Sequence, residues 1–160
     1  MSSRFKGFKK VLISIVCGLG VGFLISNFVM CRVTVEGVSM NPTYHTGDTL
    51  FIDRLSTPER GDIVTFSRNG KNYIKRIIGV PGDKVSIRDS KVIVNGDILE
   101  EDYINEKTFD GGLLEDKVVR LNKGEYYVMG DNRNYSLDSR TFGVIYENEI
   151  LGTKFIDMDR

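Results

Sequence analysis

The chain has 160 residues, of which 41% are hydrophobic and 28% are charged, and 22 basic residues balance 22 acidic ones. This length suits one domain plus an appendage. A net charge of zero, without a basic patch interleaved with aromatic residues, gives no argument for nucleic-acid binding. Cys17 and Cys31 both lie in or beside the apolar N-terminal run, so no disulfide framework is expected to stabilise the rest of the chain.

The N-terminal part of the sequence has the pattern of a membrane anchor. Residues 11–31 are almost continuously apolar, and about 20 such residues span a bilayer as a helix. Four basic residues precede this run, whereas Arg32 is the nearest basic residue after it. The positive-inside rule therefore predicts a cytoplasmic basic tail (1–10), a transmembrane helix (11–31) and an extracytoplasmic domain (32–160).

A cleaved secretory signal also begins with basic residues and continues with apolar ones. It would need a shorter apolar core of roughly 7–15 residues and a cleavage site of small residues such as Ala-x-Ala. The chain contains no alanine, and Met30-Cys31-Arg32 offers no pair of small residues. An uncleaved anchor is therefore the favoured interpretation.

Ser39 lies in a short turn between Gly37 and Thr43, soon after the apolar segment. Pro42 has a fixed φ and no N–H, and it favours extended geometry at Asn41, so we expect a rigid backbone beside Ser39. A serine hydroxyl is a weak nucleophile unless a positioned base takes its proton. Such a turn is more often purely structural, so a catalytic role for Ser39 depends on finding that base.

From Val33 onward, short runs rich in Val, Ile, Phe and Tyr are separated by Gly, Asp, Asn and Pro, which is typical of strands and turns. Strands are predicted at residues 33–36, 48–53, 62–67, 72–80, 84–88, 91–94, 117–121, 126–129, 144–146 and 150–157. Because no alternation of strands with helices is visible, we expect a mainly β fold, an antiparallel sandwich or barrel-like domain. Asp89-Ser90 and Asn95-Gly96 are predicted to be tight hairpin turns.

Lys75 is the candidate base. Side chains alternate along a strand, which places Lys75 on one face between Tyr73 and Ile77. A free lysine ammonium has a pKa of about 10.4, but burial among apolar groups can lower that value by several units. A buried Lys75 would then be able to act as a general base for Ser39. Without Ser39, a surface lysine with its charge in solvent is the simpler interpretation.

His45 is the only histidine of the chain, and it follows Ser39 by six residues in a predicted turn. A Ser-His-Asp triad would have to use it, with Asp48 as the one nearby carboxylate to orient it. A solvated histidine in a turn is the favoured interpretation.

Residues 99–116 interrupt the strand pattern. Seven acidic residues crowd around Gly111-Gly112, and only Lys107 opposes them. Runs of like charge are typical of solvated surface, so we predict an acidic surface excursion whose contacts the sequence does not define.

A second polar cluster, residues 130–140, follows the strand predicted at 126–129. Its Asp and Asn residues suggest a calcium loop, but the EF-hand pattern fails because Arg133, Tyr135 and Phe142 stand where ligands are required. Arginines among aspartates instead indicate an ion-paired brace that fixes a loop. No metal-binding or nucleotide-binding motif is visible in the sequence, so no cofactor is expected.

Four blocks of sequence, in order behind the apolar segment, together resemble the type I signal peptidases of the S26 type, in the compact form found in Gram-positive bacteria. The blocks are Gly37-Val38-Ser39-Met40-Asn41-Pro42-Thr43; Gly47-Asp48-Thr49-Leu50; Arg60-Gly61-Asp62-Ile63-Val64 through Tyr73-Ile74-Lys75-Arg76 to Gly79-Val80-Pro81-Gly82-Asp83; and Gly130-Asp131-Asn132-Arg133 through Asp138-Ser139-Arg140. Each block alone is weakly specific, but the ordered set is highly specific and covers the whole chain. The resemblance implies a membrane-anchored Ser/Lys endopeptidase with the β fold of that family.

The resemblance also implies roles for the matching residues. Ser39 would be the nucleophile that attacks the scissile carbonyl, and Lys75 the general base for both the serine and the deacylating water. Supporting residues would orient the lysine or form ion pairs that position the site: Ser136 matches the serine that hydrogen-bonds the lysine, and the pairs are Asp138 with Arg140 and Asp131 with Arg76. Three residues match positions that line the first substrate pocket: Met40, Tyr73 and Ile74.

Two positions depart from the family pattern. The backbone N–H of Ser39 matches one oxyanion donor, but Gly37 stands where Gram-negative members have a serine hydroxyl, so the second donor is left open. Asn134-Tyr135 replaces the usual Asp-Asn pair at positions without a proton-transfer role.

The function implied by the resemblance is removal of N-terminal signal peptides from exported preproteins, with a cut after small residues at positions −3 and −1. The enzyme would work at the outer face of the cell membrane, in contact with the lipid bilayer and indirectly with the protein export machinery. A peptidase dedicated to a narrow set of precursors is an alternative that the sequence does not separate. A membrane-anchored module that binds exported peptides without cutting them is another, although such a module has no reason to bury a lysine beside a serine.

Overall fold

The computed structural model describes residues 9–10, 12–20, 22, 30–108 and 117–157. Residues 11, 21 and 23–29 of the predicted membrane span, most of the basic tail, and residues 109–116 of the acidic excursion lie outside this description. Residues 9–10, 12–20 and 22 are helical. Within the described residues, none of the helices combines the length and the apolar character needed to cross a membrane.

Two antiparallel sheets make up the described part of residues 30–157. The strands are β1 (Met30–Thr34), β2 (Thr49–Asp53), β3 (Ile63–Arg68), β4 (Lys71–Gly79), β5 (Lys84–Arg88), β6 (Lys91–Val94), β7 (Asp97–Ile98), β8 (Val119–Arg120), β9 (Glu125–Met129), β10 (Ile145–Tyr146) and β11 (Ile150–Asp157). The larger sheet has the strand order β1-β2-β11-β3-β4-β9-β10 and the smaller one β7-β6-β5-β8. All paired neighbours run antiparallel, which confirms the prediction of a mainly β, antiparallel fold.

The strand boundaries agree closely with those predicted. Residues 84–88, 91–94 and 150–157 form strands with the predicted bounds, and most others differ by one or two residues. The first predicted strand, 33–36, is wrong by three residues at its start, because the apolar residues of β1 resemble the end of the hydrophobic run. Residues 30 and 31, which the sequence analysis assigned to the end of the membrane span, belong to β1.

The two predicted hairpin turns are confirmed. Asp89-Ser90 and Asn95-Gly96 each have positive φ at both residues, as a two-residue turn between twisted strands requires. A third turn of this kind, Asn69-Gly70, joins β3 to β4 and was missed, although Asn-Gly is a strong hairpin signal. This hairpin sets the register of β4, in which Lys75 lies opposite Val64.

Among the described residues, most buried hydrophobic side chains belong to three clusters, and one of these lies under the Ser39 turn. That cluster contains Val35, Met40, Tyr44, Leu50 and Ile63, with Ile74 packed against it. Met40, next to Ser39, is only 1% exposed. Full burial of such a side chain contributes about 1.5–3 kcal/mol, so the residue after the serine fixes the turn on the sheet.

Candidate active site

Ser39 and Lys75 meet in the structure although they are 36 residues apart in the chain. Lys75 Nζ lies 2.7 Å from Ser39 Oγ, and it also donates to the carbonyl oxygen of Ile74 at 2.8 Å. Lys75 is only 3% exposed. The amine is therefore held between two oxygen atoms and removed from bulk water.

Burial lowers the pKa of Lys75 from its ordinary value of 10.5 to about 8. The carboxylates of Asp138 and Asp131 act in the opposite direction and raise this pKa. At a pKa of about 8, roughly one tenth of the amine is neutral at pH 7. A neutral amine within hydrogen-bond distance of a hydroxyl can accept its proton, which is the chemistry of a general base.

The Ser39 turn is fixed by hydrogen bonds from the loop that follows β9. The backbone N–H of Asn132 donates to the carbonyl oxygen of Ser39 at 3.0 Å, and the side-chain amide of Asn132 donates to that of Val38 at 3.1 Å. Gly130 makes this close approach possible, because a Cβ atom at that position would lie 2.5 Å from the carbonyl oxygen of Ser39. The sequence placed Asn132 and Gly130 inside a family block without indicating a task for either.

One oxyanion donor is available at the nucleophile. The backbone N–H of Ser39 donates to no acceptor among the described residues, so it is free to bind an anion. Gly37 has a φ of +85°, a conformation that favours glycine, and the space around its Cα contains no atom within 4 Å of where a Cβ would lie. Position 37 therefore supplies no side-chain donor, and the second donor remains unassigned.

The predicted ion pair between Asp131 and Arg76 is present. Asp131 is 1% exposed and accepts from Nε of Arg76 at 2.8 Å and from Nη2 at 2.6 Å. The hydroxyl of Thr43 donates to the same carboxylate. Because Arg76 follows Lys75 on β4 and Thr43 lies in the Ser39 turn, Asp131 links the strand of the lysine to the turn of the serine.

The predicted pair between Asp138 and Arg140 is also present. Asp138 is completely buried and accepts from Nε of Arg140 at 2.9 Å and from Nη2 at 2.8 Å. It further accepts from the backbone N–H of Gly130 at 3.0 Å, and it caps the one-turn helix Ser139–Phe142. This pair therefore fixes both ends of the loop 130–140.

Ser136 departs from the expected arrangement. Its Oγ is buried and has no hydrogen-bond partner in the described part of the chain. Lys75 Nζ instead donates hydrogen bonds to Ser39 Oγ and to the carbonyl oxygen of the preceding residue, Ile74. The hydrogen bond between Ser136 and Lys75 that the resemblance implied is therefore not formed in this structure.

A pocket of about 260 Å³ opens beside Ser39 and Lys75. All three residues predicted for the first substrate pocket line it: Met40, Tyr73 and Ile74. Tyr73 stacks on Phe66 with ring centroids 5.5 Å apart, which keeps this wall of the pocket in place. The pocket adjoins a larger groove of about 650 Å³ along β1 and β4, and Glu36, Asn72 and Ile74 line both.

The alternative triad with His45 finds no support in the structure. His45 is exposed in a turn, and the carboxylate of Asp48 accepts from its backbone N–H at 2.8 Å. The histidine is therefore a solvated turn residue, as the favoured interpretation expected.

The acidic excursion is less solvated than predicted. Glu101 accepts from both Nη atoms of Arg133, and Thr108, which is 1% exposed, accepts from Nη1 of the same guanidinium. Glu106 accepts from the side-chain amide of Asn134. Glu101 and Thr108 are therefore buried against the loop 130–140, because this loop contains a buried cation that needs a carboxylate.

Comparison with known proteins places this geometry in a family. The family model described as "Signal peptidase, peptidase S26" matches residues 8–158. The chain is 36% identical over 165 residues to signal peptidase I of Bacillus licheniformis, covering 95% of this chain and 87% of that protein. It is 35% identical over 160 residues to signal peptidase IB of Staphylococcus aureus, covering 88% of this chain and 84% of that protein.

A solved structure gives the same result. The crystal structure of a signal peptidase I from Enterococcus faecalis matches with a TM-score of 0.53 and 36% sequence identity, covering 61% of this chain and 97% of that one. Matches of this length and identity settle the family, which confirms the resemblance seen in the sequence blocks. The chain belongs to the signal peptidase family of S26 peptidases, and its enzyme class is that of a serine peptidase, a hydrolase.

Proposed function

We propose that this protein is a membrane-anchored endopeptidase that removes N-terminal signal peptides from exported preproteins with a dyad of Ser39 and Lys75. The observation that carries the proposal is the contact of 2.7 Å between Ser39 Oγ and the buried amine of Lys75. A lysine with a pKa of about 8 is suited to general-base work near neutral pH. The names of the relatives, signal peptidase I and IB, support the choice of substrate.

The first half of the reaction forms an acyl-enzyme. Neutral Lys75 takes the proton of Ser39 as Oγ bonds to the scissile carbonyl carbon, and the carbonyl π electrons move to its oxygen. The backbone N–H of Ser39 then donates to this oxyanion. As the intermediate collapses, the C–N bond breaks, the ammonium of Lys75 returns its proton to the leaving amine, and an ester to Ser39 remains.

The second half of the reaction hydrolyses the ester and regenerates the free enzyme. Lys75, neutral again, takes a proton from a water molecule as its oxygen attacks the ester carbon. The bond to Ser39 Oγ breaks, the serine recovers its proton from Lys75, and the signal peptide leaves with a free carboxyl group. One amine thus serves both steps, which requires that it stay at hydrogen-bond distance from Oγ throughout.

The ion pairs act by positioning rather than by proton transfer. Asp131 joins Arg76 to Thr43, and Asp138 joins Arg140 to Gly130, so the strand of the base and the turn of the nucleophile share a buried polar framework. Their carboxylates also raise the pKa of Lys75, which limits how far burial lowers it. Ser136 is the remaining supporting residue, and its buried hydroxyl has no hydrogen-bond partner among the described residues.

The resemblance to the signal peptidases implies cleavage after small residues. The pocket of about 260 Å³ beside Ser39, walled by Met40, Tyr73 and Ile74, lies where it would receive the side chain before the cut. Among the described residues, β4 pairs with β9 only at Arg76, Ile77 and Gly79, so no strand pairs there with the same edge of residues 71–75, where an extended peptide could add. A substrate bound there would place alternate side chains in the pocket and in the adjoining groove, which fits selection at positions −1 and −3.

The N-terminal segment supports a membrane anchor. An apolar run from residue 11 up to β1, preceded by basic residues, fits a single span with the N-terminus in the cytoplasm and the β domain outside. The short connection from β1 to Ser39 would hold the active site at the outer face of the lipid bilayer. Cleavage sites delivered there by the export machinery would meet the enzyme at high effective concentration.

The test is cleavage of a preprotein with an Ala-x-Ala site by detergent-solubilised wild type, Ser39→Ala and Lys75→Met. Lys84→Met serves as the matched control, because Lys84 is an exposed lysine on β5. We expect mass spectrometry to show a single cut after the site with wild type and Lys84→Met only. Cleavage that survives Ser39→Ala or Lys75→Met would refute the dyad.

Two further substrates, altered at position −1 or −3, test specificity. Replacing the alanine at −1 or −3 by leucine is expected to abolish cleavage, because the resemblance to the signal peptidases implies a preference for small residues at both positions. Equal cleavage of all three substrates would contradict the proposed preference. Cleavage of only one precursor out of a panel with Ala-x-Ala sites would favour a peptidase dedicated to a narrow set.

A further inference from the structure

Arg133 is a buried cation whose charge is balanced by the acidic segment. Its side chain is fully buried, and both Nη atoms donate to the carboxylate of Glu101. Nη1 also donates to Thr108 at 2.8 Å, and Nε donates to the carbonyl oxygen of Gly130 at 3.0 Å. Because a buried guanidinium without a carboxylate is strongly unfavourable, the docking of residues 99–108 stabilises this course of the loop 130–140.

The ring of Tyr103 connects this ion pair to the one beside the lysine. The guanidinium carbon of Arg76 lies 4.0 Å from the centre of the ring, and that of Arg133 lies 5.9 Å from it. The phenol donates to Glu101 at 2.8 Å. Burial, and then the charge of Glu101, raise the pKa of Tyr103, so the phenol stays protonated. Both cations therefore lie near the same aromatic ring, an arrangement favourable by cation–π attraction.

Glu101 keeps the two guanidinium groups from competing for one carboxylate. Arg76 holds Asp131, while the charge of Asp131 also acts on Arg133. With Glu101 in place, each cation has a carboxylate of its own. Without Glu101, Asp131 would be shared between the two cations.

Any shift of Asp131 reaches the nucleophile directly. The next residue, Asn132, donates to the carbonyl oxygens of Val38 and Ser39, and Thr43 of the same turn donates to Asp131 itself. The distance between Ser39 Oγ and the amine of Lys75 thus depends on the place of Asp131. A displacement of about 1 Å in such a site can cost about 100-fold in rate.

We propose that residues 99–108 form a clamp that positions the catalytic loop, with Glu101 acting through Arg133 and Tyr103 joining both ion pairs. The inference rests on the proposed Ser39/Lys75 function and assigns a task to the acidic segment. Glu101 and Tyr103 are positioning residues, since they touch neither Ser39 nor the pocket beside it.

The main test compares Glu101→Gln with Asp102→Asn, the matched control for loss of one exposed carboxylate in the same segment. For Glu101→Gln we expect kcat to fall by about 10- to 100-fold while KM stays within about twofold, because the clamp orders the reacting groups and not the pocket. Asp102→Asn should keep both constants at the wild-type level. An unchanged kcat for Glu101→Gln, or a rise in KM alone, would overturn the proposal.

Tyr103 gives a second pair of variants that leaves no buried charge unpaired. Tyr103→Phe keeps the ring near both cations and is expected to retain kcat within about threefold, whereas Tyr103→Leu removes it and should lose about tenfold. Equal activity of the two variants would contradict a role for the ring. This pair decides the matter if Glu101→Gln does not fold.

A measurement without substrate separates this inference from the proposed function. In Glu101→Gln, the carboxylate of Asp131 would interact partly with Arg133. It would then raise the pKa of Lys75 by less than it does in wild type. We therefore expect an NMR titration of Lys75 Nζ to show a lower pKa in Glu101→Gln than in wild type or Asp102→Asn. No difference would overturn the clamp, whereas failure of wild type to cleave any preprotein would overturn only the proposed function.

Discussion

Acidification should remove activity in proportion to the neutral fraction of Lys75. With the pKa of Lys75 lowered to about 8 by burial, about 10% of the enzyme carries the neutral amine at pH 7, about 1% at pH 6 and about 0.1% at pH 5. Because only the neutral amine can take the proton of Ser39, kcat/KM should fall about tenfold for each pH unit below 7 and level off above pH 9.

The assay is the initial rate of preprotein cleavage from pH 5 to pH 10, with a substrate that has no histidine near the cut. Circular dichroism at each pH shows whether the enzyme remains folded, and His45→Gln controls for the only histidine in the chain. We expect the same acid limb in wild type and His45→Gln. A flat profile between pH 6 and pH 8, or a limb that disappears in His45→Gln, would refute the assignment of Lys75 as the base.

Further predictions follow from the burial of the Lys75 amine. Since its folded-state pKa lies below the unfolded value, the unfolded chain binds more protons between pH 8 and 10.5, so wild-type stability rises with pH across this window. Lys75→Met should therefore be more stable than wild type by about 3 kcal/mol at pH 7, and this difference should shrink towards pH 10.5. Chemical denaturation of the two proteins at both pH values measures the difference. A variant less stable than wild type at pH 7 would contradict the burial argument. Asp131→Asn removes a carboxylate that raises the pKa of Lys75 and leaves Arg76 unbalanced, so the acid limb of kcat/KM should move to lower pH. A shift to higher pH would speak against this electrostatic coupling.

Much of the fold follows from local sequence signals. β5 and β6 are separated by Asp89-Ser90, and each strand alternates inward and outward side chains, so both ends were predicted. β7 has two residues, too few to show alternation, and it was missed. The predicted position of β1 was displaced because its first residues continue an apolar run. Hydropathy alone does not show where a membrane span ends and a strand begins.

The residues of the active site, too, were predicted from the sequence only in part. Ser39 and Lys75 were identified because the four sequence blocks are specific as an ordered set, and the strand pattern of β4 indicated that the lysine faces apolar neighbours. The pairing of Glu101 with Arg133 was not identified, because the two residues lie 32 positions apart in segments that looked merely acidic and merely polar. Only the folded chain shows that Arg133 is buried and requires a carboxylate, which is a tertiary property without a local signal.

Ser136 is where the family pattern and the structure differ most, and it allows a sharp prediction. A buried hydroxyl without a partner costs about 1–3 kcal/mol, so Ser136 lowers stability in the free enzyme. Catalytic hydrogen bonds are often absent in free enzymes and form only with substrate bound, which is when an orienting contact to Lys75 would be needed. Ser136→Ala should therefore leave the free energy of unfolding unchanged or raise it by about 1 kcal/mol, while kcat falls and KM does not. Denaturation and cleavage kinetics on the same preparation test both halves. Loss of more than about 1 kcal/mol of stability would show that the hydroxyl is paired in the folded state, and an unchanged kcat would show that Ile74 alone orients the lysine.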